Sequence, residues 1–460
     1  MEAPECPGCR ERDARIAALE ARMQELEAKL HDALRQPQAP RGPATLPAAP
    51  AKKKTGRRRG GQPGHPPHLR QLLPPERVSE IIRFIPEHCE HCLAPLPTEA
   101  SPHDSEPRRH QVAELPEIRS RITEYQAHAR RCAGCGQLTY ATIPAEQRAH
   151  CTGPQLTATL SYFSGAHGMS KRAIEETAEA LFAVPLSLGT VANLEKEMSA
   201  ALAVPHEQAR QAVEQAPVKH VDETGWKQAG RKRWLWVAAT THAAVFLVHY
   251  LRNATALAAL LGESVRGILC SDRWRVYDQV PLRQRQVCWA HLKRNFEKLV
   301  ERGGRAARVG QACLAVEKQV FQLWHLFRGG GCSRQALDRR LYAPMMTMLK
   351  ILQDGQRARD RRTARFCTRL LGVYPALWLF AWSEGVEPTN NHGERVLRRA
   401  VLWRRRAFGC ASADGCRFVE RILTVVQTLR LQKRPVLAYL VEAITAHRAG
   451  QQAPRLVVEA

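Results

Sequence analysis

The 460-residue sequence lacks a continuous apolar run long enough to cross a membrane. Its two longest uncharged stretches are unsuitable, because residues 149–170 are broken by glycine and proline and residues 234–251 contain threonine and histidine. The start also lacks the basic and then apolar segments of a secretory signal. These absences argue against an integral membrane protein, and we expect a cytoplasmic protein that has no membrane partner.

Acidic residues are scarce relative to basic ones. Lys and Arg number 69 against 44 Asp and Glu, which leaves a net charge of +25. A field of this sign attracts a polyanion such as nucleic acid. Hydrophobic residues make up 44% of the chain, an ordinary globular content. The length is sufficient for about three domains.

The first 78 residues contain little that could form a core. Apolar residues at heptad spacing predict a leucine-zipper-like coiled coil within residues 1–36, through which the protein would form homo-oligomers. The isolated Cys6-x-x-Cys9 pair ahead of it is more often a pair of free thiols than half of a metal site. Residues 37–78 are a proline-rich linker. The linker carries a basic arm suited to DNA phosphates, formed by Lys52, Lys53, Lys54, Arg57, Arg58 and Arg59.

Fourteen cysteines in a cytosolic chain favour metal or redox chemistry over disulfides. Two C-x-x-C pairs within residues 79–145 match a zinc ribbon, because four thiolates complete a tetrahedral shell for structural Zn²⁺. A strand-like alternation at residues 118–127 lies between the pairs, and His88 or His91 could replace one thiolate. The predicted zinc ligands are Cys89, Cys92, Cys132 and Cys135.

Residues 146–206 contain three stretches of helical apolar spacing. Ser170 is placed to cap the second helix, Pro185 to end it and Ser187 to begin the third. This layout is typical of a helix-turn-helix unit that binds DNA, although a plain helical connector explains it nearly as well.

Strand-forming residues dominate the beginning of the next segment, residues 207–445. Asp222 and Asp272 each follow an apolar run, at positions where a sheet would hold their carboxylates close together. The predicted strands cover residues 218–221, 234–239, 245–250 and 268–270, with a helix at 254–261.

A third acid, Glu394, follows a long helical stretch at about residues 300–385. Pro388 and the asparagines after it predict the start of a new helix that carries Glu394 in its first turn. The pattern Asn391-x-x-Glu394 also fits a capping box, in which Glu394 would only bond to the helix start. Residues 446–460 are predicted to be a tail.

Arginines crowd the helix that begins near Glu394. Like charges at this density destabilise a helix that has no polyanion beside it, so contact with DNA is the expected role. The predicted DNA-contacting residues of this helix are Arg395, Arg398, Arg399 and Arg405.

Other side chains near the acids have less distinctive patterns. Cys288-x-x-His291 lies at i, i+3 on a predicted helix but lacks two ligands of a zinc site, so we expect Cys288 to pack and His291 to bond locally. Trp274, Trp289 and Trp403 could stack on a DNA base, although core packing is expected for at least two of them.

Four motifs occur in order along the chain. They are VDETGW at Val221–Trp226, SDRW at Ser271–Trp274, CWAHLKR at Cys288–Arg294 and PTNNHGER at Pro388–Arg395. Together with the zipper, the GGQPGH arm at Gly60–His65, the ELP segment at Glu114–Pro116 and the zinc ribbon, this set resembles the DDE transposases of the insertion sequence 66 family. SDRW and the RAFG run at Arg406–Gly409 look closer to a subgroup that travels without the small accessory transposition proteins, which otherwise are candidate partners.

The resemblance implies an RNase H-like catalytic core with a helical insertion, and therefore a multidomain α+β and α/β protein. It implies that Asp222, rather than the neighbouring Glu223, forms the catalytic triad with Asp272 and Glu394. Three carboxylates suit two Mg²⁺ ions, or Mn²⁺, which support in-line displacement at a phosphodiester. The implied function is a transposase that binds the terminal inverted repeats of its element, cleaves DNA there and joins the ends to target DNA.

Two alternatives stay open at the level of sequence. One is a zinc-containing DNA-binding regulator or inactive remnant whose acids no longer act, and intact acids at all three motif positions argue against it. The other is a metal-dependent nuclease without strand transfer, which would differ only in its products.

Overall fold

A computed structural model describes residue 21 and residues 71–99, 101, 102 and 104–458. The Cys6–Cys9 pair, the basic arm and the apolar positions of the predicted coiled coil lie outside these residues. The chain divides into two compact units, residues 1–114 and 115–460.

The described part of the first unit contains little regular structure. Pro75–Arg77 forms one turn of 3-10 helix. Arg109 and Gln111 donate side-chain hydrogen bonds to the carbonyl oxygen of Leu73 at 2.6 and 2.8 Å. These two hydrogen bonds hold residue 73 against residues 109–111, in a part of the chain where few apolar side chains are buried.

The second unit opens with a short antiparallel hairpin of β1 (Ala129–Arg131) and β2 (Leu138–Tyr140). The prediction of a strand at residues 118–127 was wrong, because this described segment is not a strand and pairs with none. Its apolar side chains Ile122 and Tyr125 are exposed, so the alternation of the sequence has no sheet face to cover.

Five helices follow the hairpin. They are α1 (Ala145–Arg148), α2 (Pro154–His167), α3 (Lys171–Phe182), α4 (Leu188–Ala201) and α5 (Ala203–Gln215). The predicted caps are confirmed, since the hydroxyls of Ser170 and Ser187 accept the backbone N–H groups of Ala173 and Thr190.

These helices pack on the main body of the second unit. Ala158 of α2, Met198 of α4 and Ala209 of α5 belong to the same hydrophobic core as residues of the central sheet. The boundary expected between residues 206 and 207 falls inside α5. The helices at 146–206 are therefore built into the body rather than set apart from it.

Five strands form the central sheet of this unit. The elements are β3 (Val218–Gln228), β4 (Arg231–Ala239), β5 (Ala244–His249), α6 (Ala254–Leu261), β6 (Ile268–Ser271) and β7 (Arg285–Val287). Across the sheet the order is β5-β4-β3-β6-β7; the first three strands are antiparallel, and β3, β6 and β7 run parallel. The predictions of four strands and of the helix between β5 and β6 are confirmed, whereas β7 was not predicted.

A helical insertion follows β7. Its core contains Trp289, Leu341, Cys367 and Trp378, which are all fully buried. The apolar repeat at residues 309–327 lies on one helix, as predicted. The insertion comprises α7 (Trp289–Glu301), α8 (Gly304–Arg328), α9 (Arg334–Gln356), α10 (Arg361–Leu371) and α11 (Leu379–Trp382).

Three helices complete the unit: α12 (Asn391–Ala407), α13 (Ala413–Leu431) and α14 (Val436–Arg448). The expected tail is packed in part, because Leu456 is buried and its N–H donates to Gln208 Oε1 at 2.9 Å. Among the described helices, none is both long and apolar enough to span a membrane.

Helix α13 covers the outer edge of β5 through side-chain acceptors. Glu420 Oε1, Thr424 Oγ1 and Thr428 Oγ1 accept the backbone N–H groups of Val248, Phe246 and Ala244 at 2.6, 2.9 and 3.0 Å. Four helical residues rise about 6 Å and two strand residues about 6.7 Å, so the two spacings match. Every second N–H of the edge strand is thereby satisfied without another strand.

We predict that Thr424→Val lowers the free energy of unfolding by about 1–3 kcal/mol, because the volume is kept while the buried N–H of Phe246 loses its acceptor. Urea unfolding followed by circular dichroism measures the change. Thr445→Val, an exposed threonine on α14, is the matched control and should change stability little. Equal effects of the two substitutions would contradict the assigned role.

Candidate active site

Two of the predicted acids lie just beyond the parallel pairing of β3 and β6. The two strands pair with Lys219 opposite Leu269 and His220 opposite Cys270, and Asp222 and Asp272 each come two residues after this last pair. The predicted strand end at Asp222 was wrong, because β3 continues to Gln228 and pairs Asp222 with Val237 of β4. Asp272 directly follows β6, as predicted.

Glu223 is occupied by partners of its own. Arg252 donates to Glu223 Oε1 through Nε and Nη2 at 2.8 and 2.6 Å, and the hydroxyl of Tyr277 donates to Oε2 at 2.6 Å. Arg252 also lies over the rings of Trp234 and Trp274, at 4.6 and 4.2 Å from their centroids. Because Glu223 points into this cluster, Asp222 is the carboxylate left to face the groove.

Asp222 lies in an unfavourable environment for a negative charge. Burial, and then the charges of Glu223, Asp272 and Glu394, raise its pKa to about 7. Its Oδ1 accepts the backbone N–H of Glu223 at 2.9 Å, which offsets only part of this cost. A divalent cation would relieve both the desolvation and the mutual repulsion of the acids.

Asp272 is oriented by the turn that follows β6. The backbone N–H of Trp274 donates to Asp272 Oδ1 at 2.8 Å, and Ser271 Oγ donates to the Asp272 carbonyl at 2.9 Å. The buried guanidinium of Arg285 donates to the same carbonyl at 3.3 Å. The side chain therefore has a fixed direction before any ligand binds.

Glu394 lies in the first turn of α12 but does not form a capping box. The helix is capped at Asn390 without a side-chain capping bond. Glu394 Oε1 instead lies 3.4 Å from His291 Nδ1 and 3.6 Å from Arg294 Nη2, both on α7. The capping-box alternative is therefore incorrect, since the carboxylate faces across to another helix.

His291, Cys288 and Glu394 form a compact group of potential ligands. One ligand atom from each lies within 4.8 Å of the other two. His291 Nδ1 and Glu394 Oε1 are buried, and neither makes a hydrogen bond within the described residues. Burial and then the charge of Arg294 lower the pKa of His291, which favours the neutral imidazole. An unsatisfied carboxylate oxygen beside a neutral imidazole is a donor set that fits a divalent cation.

Asn390 connects the elements that carry these side chains. Its Nδ2 donates to the Val221 carbonyl at 2.8 Å, its Oδ1 lies 2.9 Å from His220 Nδ1, and its backbone N–H donates to Cys288 Sγ at 3.1 Å. On α12, a Cβ added to Gly393 would lie 3.1 Å from Asn390 Oδ1 and 3.3 Å from His220 Cβ on β3. Glycine at this position therefore lets the helix approach β3 closely.

Asp222 and Glu394 open onto a groove of about 630 Å³, and His291 lies in the same wall. Asp272 is not one of its lining residues. The basic lining residues are Arg294, Arg395 and Arg398. A groove lined by both carboxylates and guanidinium groups suits a phosphodiester held against bound cations.

The family model described as Transposase IS66 family matches residues 150–417, more than half of the chain. The chain belongs to the IS66 transposase family. No curated protein gives a significant match. The matched region contains Asp222, Asp272 and Glu394 of the transposase as well as the helical insertion.

The arginines of α12 have different surroundings in the transposase. Arg395, Arg398, Arg399 and Arg405 are exposed, as a contact with DNA would require. Arg404, in contrast, donates to Thr224 Oγ1 and to the Gly225 carbonyl, both at 2.7 Å, and so anchors α12 to β3.

The three tryptophans also differ. Trp289 and Trp403 are buried in the core, at 0% and 8% exposure, whereas Trp274 is 38% exposed beside Asp272. Cys288 packs as expected, but His291 reaches Glu394 of α12 rather than bonding locally. Sequence reasoning missed Arg252, Tyr277 and Asn390, although Asn390 was visible in the PTNNHGER motif.

The two predicted zinc-binding pairs have the same backbone geometry. The N–H of Leu93 donates to the Cys89 carbonyl, and that of Gly136 to the Cys132 carbonyl, both at 2.9 Å. Leu93 and Gly136 both adopt positive φ, at 61° and 70°. Backbone N–H groups of His91 and Cys92 lower the pKa of the Cys89 thiol, and those of Cys135 and Gly134 lower that of Cys132. Each turn thus stabilises a thiolate.

We predict that Asp222→Asn stabilises the metal-free transposase above pH 7. A pKa raised to about 7 means that the folded state gains less from ionisation than the unfolded state, so stability falls as pH rises from about 4 to about 7. The variant removes this loss, and its melting temperature at pH 8 should exceed that of the wild type by about 2–4 °C.

The control for this measurement is Glu384→Gln, an exposed acid on the surface of the same unit. The difference between the wild type and Asp222→Asn should grow with pH up to about 7 and then stay constant. Mg²⁺ should raise the melting temperature of the wild type and of the control more than that of Asp222→Asn. A variant less stable than the wild type at pH 8 would overturn the electrostatic account.

Proposed function

We propose that the protein is a DDE transposase that cleaves DNA at the ends of its element and transfers the freed strands to target DNA. The catalytic core is RNase H-like in this proposal. Its support is the order β5-β4-β3-β6-β7, in which the first three strands are antiparallel and β3, β6 and β7 are parallel, with one acid on β3 and one directly after β6.

One observation carries the proposal: Asp222 lies in the wall of a basic groove, and the charges of Asp272 and Glu394, from two other elements, help to raise its pKa. A structural role would favour pairing an acid closely with a cation, as happens to Glu223 and, at a longer distance, to Glu394 through Arg294. Asp222 has no ion pair among the described residues, and a carboxylate that its neighbours repel beside a groove is suited to binding divalent metal.

Asp222, Asp272 and Glu394 would hold two Mg²⁺ ions, or Mn²⁺. When bound, such a pair activates the attacking oxygen and stabilises the leaving one. The protein orients the DNA: Arg398 lies one turn after Glu394 and can hold a phosphate oxygen, and Arg294 approaches from α7. Asn390 keeps the Glu394 helix against β3.

The reaction consists of two displacements at phosphorus. Water first attacks the phosphodiester at the element's end, and the 3′-oxygen of one strand leaves with a proton. That 3′-hydroxyl then attacks a target phosphodiester, so a new ester bond replaces the broken one. No external energy source is required because the number of phosphodiester bonds is unchanged in the second step.

The DNA partners are the terminal inverted repeats and the target. Exposed Arg395, Arg398, Arg399 and Arg405 on α12 supply phosphate contacts near the acids. The basic arm of Lys52 to Arg59 adds contacts outside the described residues. Pairing of two ends requires more than one copy of the chain, which the predicted coiled coil would provide.

Joining of labelled DNA tests the function. Purified protein is incubated in Mg²⁺ with DNA carrying the end of the flanking element and with a target plasmid, and nicked and joined products are resolved separately. We expect the wild type and Glu384→Gln to nick and join, and Asp222→Asn to lose both activities by at least about 10²-fold, because one ligand of the metal site is gone.

The products distinguish the alternatives. Nicking without joining would indicate a nuclease rather than a transposase. Binding without nicking by the wild type, with paired ends and accessory proteins supplied, would indicate a regulator or inactive remnant. Full activity of Asp222→Asn would remove Asp222 from the catalytic site.

We also propose structural Zn²⁺ on Cys89, Cys92, Cys132 and Cys135. Purified protein should contain about one zinc ion per chain, and Cys132→Ser should lose most of it, because three thiolates bind zinc less tightly than four. Cys151→Ser is the control, since Cys151 is an exposed cysteine outside both pairs. Metal analysis that finds no zinc in the wild type would contradict the proposal.

A further inference from the structure

The helical insertion carries a concentration of exposed arginines that the catalytic proposal does not use. Residues 357–369 contain six arginines and a single acid, Asp360. Three more arginines lie where α7 ends and α8 begins. The set, called here the insertion arginine face, is Arg302, Arg305, Arg308, Arg357, Arg359, Arg361, Arg362, Arg365 and Arg369, all of them exposed.

Helix α10 presents part of this face as a straight stripe. Arg361, Arg365 and Arg369 are four residues apart, so they lie along one side of the helix over about 12 Å. Thr363 and Cys367 are fully buried on the opposite side. Like charges at i, i+4 destabilise a helix, and nothing in the packing of α10 requires them.

One end of the stripe meets a basic cleft. Asp360, the cap of α10, pairs with Arg302 and also accepts the hydroxyl of Thr363. A cleft of about 460 Å³ nearby is formed by the start of α8 and the end of α9. Its charged lining residues are Arg305, Arg308, Arg357 and Asp354. Positive charge therefore exceeds negative charge at this end.

The other end of the stripe reaches the turn of the second acid. Arg273 follows Asp272 directly, and its guanidinium lies 5.0 Å from the centroid of Phe366 on α10. Phe366 lies between Arg365 and Arg369 along α10, so this contact brings the second half of the stripe to the residue beside Asp272. The stripe therefore leads from the cleft towards the candidate active site.

We propose that the insertion arginine face binds the phosphate backbone of a DNA duplex that enters the active site on the Asp272 side. The proposal deepens the proposed function and rests on it for the path of the DNA. Measured along the duplex axis, a stripe of about 12 Å corresponds to three to four base-pair steps at roughly 3.4 Å each. The contacts are with phosphates, so the binding does not depend on base sequence.

Salt-dependent binding of the full chain to a duplex of unrelated sequence tests the surface without requiring catalysis. Fluorescence anisotropy gives the association constant at NaCl concentrations from about 50 to about 300 mM. A plot of the logarithm of this constant against log[NaCl] has a negative slope, which steepens by about 0.9 for each phosphate contact. The double variant Arg361→Gln, Arg365→Gln should reduce this slope by about 1.8 and weaken binding by about 10-fold or more at low salt.

The matched control removes the same charge from the same insertion. Arg339→Gln, Arg340→Gln alters two exposed arginines of α9 that lie about 21 Å along the helix axis from Asp354. The control should keep the wild-type slope. Thermal unfolding should show that the Arg361/Arg365 variant is at least as stable as the wild type, because a repulsive pair is lost.

The outcomes separate this proposal from the proposed function. An unchanged slope for the Arg361/Arg365 variant, in a protein whose wild type nicks and joins DNA, overturns the DNA surface alone. An equal fall in both double variants assigns the effect to net charge and also overturns it. A selective fall in a protein that neither nicks nor joins supports the surface while the catalytic proposal fails.

Discussion

The hydrogen bonds of the buried Asn390 side chain determine how the two halves of the candidate active site meet. Its amide donates to the Val221 carbonyl, one residue before Asp222, and Glu394 lies one helical turn after Asn390 on α12. Burial lowers the pKa of His220 to about 4, so this histidine stays neutral and its Nδ1–H can donate to Asn390 Oδ1. A buried amide with a partner at each end resists displacement, because any shift leaves polar groups unsatisfied. Together with Arg404, which bonds Thr224 and Gly225 further along β3, this side chain fixes the separation of the acids on β3 and α12.

The neighbouring acids Asp222 and Glu223 on β3 have different surroundings because they point to opposite faces of the sheet. Glu223 is neutralised by Arg252, itself stacked between two tryptophans, and receives a further bond from Tyr277. Alternate residues of a strand point to opposite faces, so Asp222 is directed away from this cluster. Glu223 therefore holds the sheet to the loop after β6, and Asp222 faces the groove.

Strands and acids were predictable from the sequence where the local pattern and the tertiary packing agreed. The apolar runs before Asp222 and Asp272 are buried strands, and the caps at Ser170 and Ser187 form as expected. β7 was missed because two of its three residues are Arg285 and Gln286, which no hydrophobic pattern identifies. Both are fully buried, and Gln286 bonds the backbone of Leu377 and Phe380 in the insertion.

The errors have the same origin in long-range contacts. The alternation at residues 118–127 lacks a partner strand, and the Asn391-x-x-Glu394 pattern is overridden by residues of α7 and β3. Asn390, Arg252 and Tyr277 act through partners distant in sequence, which the local pattern of one sequence does not reveal. Local chemistry identified the acids, but their surroundings are a property of the fold.

The cover that α13 places over β5 limits how this protein can assemble. An edge strand with free N–H groups invites a strand from another molecule. Here Glu420, Thr424 and Thr428 already occupy every second N–H along β5. Addition of a strand from another molecule is therefore blocked at the β5 edge, and this side of the sheet is protected from edge-to-edge aggregation.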